Sequence, residues 1–150
     1  MNVHVVDGTY ELFRHFFAVP PRRNGSGEEV GALLGVARSM VSMLRDGVTH
    51  LGVATDHIIE SFRNDLYAGY KTGEGIDPVL WRQFHPLEDL LRSLGVAVWA
   101  MVDQEADDAL AAAAKRAGAA PGVDRIFICS PDKDLAQCVR GDRVVQFDRW

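Results

Sequence analysis

The chain has 150 residues, 47% of them apolar and 25% charged, with a formal net charge of −5. That is one domain's worth of sequence, long enough for an ordinary buried core, and its balance excludes wholesale disorder. Two cysteines without motif spacing, no apolar run near the roughly 18 residues of a membrane span, and no basic-then-apolar start together point to a cytoplasmic protein that does not touch a membrane.

Val3–Val6 reads as a buried strand that ends in the turn pair Asp7-Gly8. Thr9–Phe17 is aromatic-rich and predicted helical, with Leu12, Phe13, Phe16 and Phe17 facing inward. PPRRNGSGEE, residues 20–29, is a loop by composition. In the helix that follows, Val30, Leu33, Leu34, Ala37, Met40, Val41 and Leu44 share a face, and Asp46-Gly47 stops it. Leu51–Ala54 is a second short strand, ending at Thr55-Asp56.

Residues 62–71, FRNDLYAGYK, would place Arg63, Tyr67, Tyr70 and Lys71 on one face if helical, although Gly69 argues against a continuous helix. Asp77-Pro78 has the form of an N-cap followed by proline at the first helical position. The helix it opens runs to about Leu94, with Trp81, Phe84, Leu87, Leu91 and Leu94 as core. Val96–Trp99 is the third strand. It leads into Glu105, Asp107 and Asp108 at the start of an Ala-rich helix that ends near Ala117. Ile126–Cys129 is the fourth strand, followed by Pro131, Asp132, Lys133 and Asp134, a helix from Leu135 to Val139, and a fifth strand at Val144–Phe147.

Short apolar strands alternating with amphipathic helices mean β-α-β units, a mainly parallel sheet of about five strands, and helices on both faces. Right-handed crossovers put the carboxyl ends of parallel strands on one edge, where ligands of such sheets bind. Asp7, Asp56, Glu105, Asp107, Asp108, Asp132 and Asp134 all follow strands one to four, so seven carboxylates from four segments are expected to converge there. Such a cluster, without a neighbouring His or Cys ligand, selects Mg²⁺ or Mn²⁺ over Zn²⁺. Carboxylates in this number favour two ions. A pair about 3.5–4 Å apart suits phosphodiester hydrolysis. It also reconciles an acidic chain with a nucleic-acid partner, because the ions bring positive charge to the phosphate.

Four stretches, VVDGTYELFRHFFAVP, ATDHIIESFRNDLYAGYK, QEADDALA and SPDKDLAQCV, occur in the order and at about the spacing of one family. With them the chain resembles the N-terminal nuclease domain of the flap endonuclease/5′-3′ exonuclease family, a PIN-like/resolvase-like α/β fold of three layers. The resemblance implies a Mg²⁺-dependent nuclease acting on DNA with a 5′ single-stranded end or flap. It implies metal binding by the seven acids named above, with Arg63 and Lys71 as catalytic contacts to the scissile phosphate. Tyr70, with Tyr67 nearby, would stack on bases, and residues 72 to about 84 would correspond to a helical arch over a 5′ strand.

Two departures stand out. Pro131 occupies a position where the family usually has glycine, stiffening the approach to Asp132. The family also continues past its fifth strand into a helix-hairpin-helix region that grips duplex DNA, whereas this chain reads as a truncated domain, residues 1–150, ending at Trp150. A PIN-class ribonuclease is the alternative enzyme. A module that binds metal and single strands without cutting is the alternative non-enzyme. No obligate protein partner is evident from the sequence.

Overall fold

The computed structural model describes residues 1–149. In chain order the elements are β1 (Asn2–Asp7), α1 (Gly8–Ala18), α2 (Gly31–Arg45), β2 (His50–Asp56), α3 (Arg63–Leu66), α4 (Pro78–Trp81), α5 (Phe84–Ser93), β3 (Ala97–Met101), α6 (Ala106–Gly118), β4 (Arg125–Cys129), a 3-10 helix (Lys133–Cys138) and β5 (Val144–Gln146). The strands form one sheet in the order β3-β2-β1-β4-β5, and every pairing is parallel. The α/β architecture expected from the alternating pattern is therefore present. No helix among the described residues is long and apolar enough to cross a membrane.

Strand alternation distributes side chains to two cores. Val6 and Val53 pack with α1, α2 and α5 through Leu12, Val36, Met40, Leu87 and Leu91. Val5 and Ala54, one residue away in each strand, pack on the other face against α6 and the 3-10 helix through Leu110, Ala114 and Leu135. The same period of two has a consequence at the carboxyl edge. Asp7 follows Val5, and Asp56 follows Ala54, so both fall in register with the residues that face α6.

The sheet order reverses at β1, with β2 and β3 on one side and β4 and β5 on the other. This is the point at which parallel sheets leave a crevice beyond their carboxyl ends. Gly8 permits the crossing. A Cβ there would lie 2.7 Å from Val53 Cγ1 and 3.0 Å from the Ala54 carbonyl oxygen, so α1 can start directly against β2 only because the side chain is absent.

Several helical expectations are corrected. Phe17 was expected inward and is 77% exposed; Phe13 and Phe16 are partly buried against the core. In α2 the buried face is Ala32, Leu33, Val36, Met40 and Met43, with Val41 and Leu44 exposed. That helix is apolar on most of its circumference, so sequence spacing allowed more than one stripe. The expected helix over 62–71 is a single turn. Tyr67 leaves it with φ −142°, and Gly69 adopts φ 81°, a left-handed conformation that suits glycine.

Asp77 does cap a helix, its side chain accepting from Val79 N. The predicted run to Leu94 is nonetheless two helices. Gln83 sits at the break with its side chain buried, donating to the Val79 carbonyl and accepting from Leu33 N. Trp81 was expected in the core and is 44% exposed, stacked on Phe84 at 5.5 Å. In place of an extended helical arch, residues 72–83 form a loop and the four-residue α4. The helix expected at 135–139 is the 3-10 helix Lys133–Cys138.

Candidate functional site

Asp7 ends β1 and caps α1, its Oδ1 accepting from Tyr10 N at 2.8 Å. The cap fixes the carboxyl at the mouth of the crevice, where it is only 8% exposed. Burial pushes its pKa up to about 7; the Tyr10 N–H works against the rise, and Asp107 and Asp56 add to it. Asp56 ends β2 and is also buried. Its Oδ1 accepts from Ala106 N at 2.8 Å, tying the strand end to the first turn of α6. Its own N–H donates to Thr9 Oγ1 at 2.8 Å, tying the same strand end to α1.

The acidic start of α6 divides between two faces. Asp107 turns into the cavity with Oδ1 buried and without a hydrogen-bond partner. Burial raises its pKa to about 6, reinforced by the charges of Asp132 and Asp56. Asp108 turns the other way. Arg63 grips it with both fork nitrogens, Nη1 to Oδ2 and Nη2 to Oδ1, each at 2.8 Å, and Glu105 N donates to its Oδ2 at 3.0 Å. The Arg63 hydrogen bonds hold the Asp108 pKa down. Asp108 therefore lines the adjacent groove along α6 instead of the acid cavity. One residue of helix is a rotation of about 100°, which is why neighbours in sequence part here.

Glu105 lies between the two faces. Its Oε1 accepts from Ser61 Oγ at 2.8 Å and Arg63 Nη1 at 3.0 Å, and its Oε2 from Lys71 Nζ at 3.3 Å. Lys71 Nζ also donates to Asp56 Oδ2 at 2.9 Å. Burial works against the Lys71 charge, but Asp56 and Glu105 outweigh it, and its pKa is raised. On the β4 side, Asp132 caps the 3-10 helix, accepting from Asp134 N at 2.8 Å. Gln146 Nε2 donates to the carbonyls of Ser130 and Asp132. With Pro131 in place, Asp132 and Asp134 still line the cavity.

The resulting cavity, of about 700 Å³, is lined by Asp7, Asp56, Glu105, Asp107, Asp132 and Asp134, with Lys71, Tyr70 and Thr72 opposite and Phe13, Ile59 and Ile76 as apolar surface. It gathers six of the seven predicted acids. Arg63 and Lys71 come together on Glu105 despite the loss of the helix that was to align them. Tyr70 is at the cavity and half exposed, whereas Tyr67 stands 70% exposed and outside it. Thr9, Tyr10 and Ser61 escaped sequence reasoning. Each acts through hydrogen bonds to a cap or to a residue distant in sequence, and no spacing pattern marks them.

Among the described residues no three acidic, imidazole or thiol groups are set to hold one ion as they stand. Two cationic side chains are threaded among the carboxylates instead. The donor set is all oxygen and includes one buried, unpartnered carboxylate atom, a combination that fits a hard divalent cation.

Fold and site define a class: a parallel α/β domain carrying an acidic cavity with paired cations at its topological switch point. The chain belongs to the family described as 5′-3′ exonuclease, N-terminal resolvase-like domain, which it matches over residues 2–149. It is 36% identical over 148 residues to DNA polymerase I of Rhizobium leguminosarum, covering 92% of this chain and 14% of that protein. It is 35% identical over 144 residues to the thermostable DNA polymerase I of Thermus aquaticus, covering 95% of this chain and 17% of that protein. The chain thus spans about one-sixth of these relatives' length.

Among solved structures it resembles a mutant of the T5 5′-exonuclease, with TM-score 0.67 and 20% identity over 97% of this chain and 49% of that one. It also resembles a bacteriophage T5 flap endonuclease in a pseudo-enzyme-product complex with DNA and metal ions, with TM-score 0.61 and 24% identity over 98% of this chain and 54% of that one.

Proposed function

We propose that this domain hydrolyses phosphodiester bonds at the 5′ ends or 5′ flaps of DNA, using Mg²⁺, with Mn²⁺ as a substitute. One observation carries the reading. Acids from four separate strand ends line a single cavity, and Lys71 lies among them. The family and the T5 structures solved with metal ions and DNA support it.

Asp7, Asp56, Glu105, Asp107, Asp132 and Asp134 are the residues that would hold the ions. When bound, a pair of divalent ions supplies an activated water and neutralises charge on the reacting phosphate. The chain's own contribution is positioning. Lys71 offers a mobile point charge to a phosphate oxygen, and Arg63 a planar fork suited to two oxygens. Tyr70, at the rim, offers a stacking face for a base, worth roughly 1–3 kcal/mol. The buried Asp7 carboxyl is held in place by its cap, so its position is fixed without reorganisation. Thr9 and Ala106 lock Asp56 between α1 and α6.

The test is incision of labelled substrates by the purified chain. Mg²⁺-dependent cutting of 5′-flap DNA, lost in Asp107→Asn, is the expected result. Preferential cutting of single-stranded RNA would transfer the reading to a ribonuclease. Metal and single-strand binding with no cutting of either would reduce it to a binding module.

A further inference from the structure

The carboxylates of the cavity are not equivalent. Asp56 and Glu105 hold Lys71 Nζ between them at 2.9 and 3.3 Å, and Glu105 and Asp108 hold the Arg63 fork at 2.8–3.0 Å. Asp7, Asp107, Asp132 and Asp134 have no cationic side chain within ion-pair distance among the described residues. One side of the cavity is therefore already neutralised from within. The other carries carboxylates that no cationic side chain contacts directly.

A divalent ion that used Asp56 or Glu105 would need the oxygens that Lys71 and Arg63 now hold. It would also bring like charge within a few ångströms of an ammonium and a guanidinium in a partly buried place. Holding both on that side together is electrostatically costly, so the ion and the two cations compete for it. The cations can leave. Lys71 sits in a stretch, 67–77, without a regular helix, on a long stem with four rotatable bonds, and α3 beneath Arg63 is a single turn. A phosphate diester at the cavity mouth offers both of them a replacement anion.

We infer that Lys71 and Arg63 are internal counter-cations that a divalent ion must displace from Asp56 and Glu105, and that nucleic-acid phosphate draws them away. The inference rests on the metal-dependent reading above and adds a direction to it. Metal and nucleic acid bind cooperatively, because each removes an obstacle to the other, and the coupling is the same read from either ligand. Without nucleic acid the cavity is held partly closed to cations. The two basic residues thus serve first the acids and then the phosphate.

The experiment is a Mn²⁺ titration of the full chain, followed by electron paramagnetic resonance of free Mn²⁺, with and without a short single-stranded DNA. Lys71→Met should bind Mn²⁺ roughly tenfold more tightly than wild type without DNA, since it releases two carboxylate oxygens. Lys71→Arg should stay near wild type. Lys133→Met removes equal charge beside Asp132 without freeing Asp56 or Glu105, and should shift affinity far less. DNA should tighten Mn²⁺ binding to wild type more than to Lys71→Met. Circular dichroism melting checks that each variant is folded.

Equal affinities for wild type and Lys71→Met, or equal shifts for Lys71→Met and Lys133→Met, would overturn the displacement inference while leaving a metal site standing. No Mn²⁺ binding by any variant would overturn both the inference and the metal-dependent reading beneath it.

Discussion

Asp7→Asn isolates the electrostatic strain that crowded carboxylates place on the fold. Asp7 has its pKa raised from 3.8 to about 7 in the folded protein. The sign follows from linkage. Between those values the folded state binds more protons than the unfolded chain, so the stabilisation is complete below about pH 3.8 and drains away as pH rises through 7. From these two values the penalty on the wild type is about 2 kcal/mol at pH 5 and about 4 kcal/mol at pH 8. Asparagine does not titrate, and its Oδ1 can still accept from Tyr10 N. The variant should therefore be more stable than wild type in EDTA, with the gap widening by about 2–3 kcal/mol from pH 5 to pH 8. Urea unfolding followed by circular dichroism at the two pH values measures this. Mg²⁺ should reverse the order, because a cation favours the ionised carboxylate and stabilises only a folded chain that can bind it. A variant less stable than wild type at pH 8 in EDTA, or a gap that does not grow with pH, would refute the reasoning.

Gly8→Ala should destabilise the fold by about 1–3 kcal/mol in urea unfolding, because its Cβ would meet the immovable Ala54 carbonyl as well as Val53 and Thr55. It should also weaken Mg²⁺ protection, since α1 and the Asp7 cap move together. Phe84→Ala should lower stability by about 3–5 kcal/mol, whereas Phe17→Ala should stay within about 0.5 kcal/mol, the difference between a buried and a largely exposed ring. Cys129 is buried, which pushes its thiol up to about 12; iodoacetamide at pH 8 should label the only partly buried Cys138 first, and mass mapping of the labelled peptide would report the order.

The alternation of apolar strands and amphipathic helices made the parallel sheet legible, because a period of two and a period near 3.6 can be read without knowing the neighbours. The acids were legible for a related reason. In a parallel sheet the carboxyl edge is set by connectivity, so residues that follow strands meet wherever the helices run. The failures fall where a helix is apolar on most sides, as in α2, or where one buried polar group changes the path, as Gln83 does between α4 and α5. Periodicity alone points Phe17 and Trp81 inward, and only the packing partner on that face shows whether there is anything to bury against.

The division of labour at the start of α6 marks the boundary between the two kinds of information. Local pattern placed Glu105, Asp107 and Asp108 at a helix start near the sheet edge, since strand, turn and cap signals are written in neighbouring residues. Which carboxylate enters the cavity and which pairs with Arg63 depends on the rotation of α6 about its axis, set by Leu110 and Ala114 in the core beneath. The meeting of Lys71 with Asp56 and Glu105 depends on a non-helical path from 67 to 77. These contacts span many residues of chain, and their geometry comes from the packing of whole elements, which no short stretch encodes.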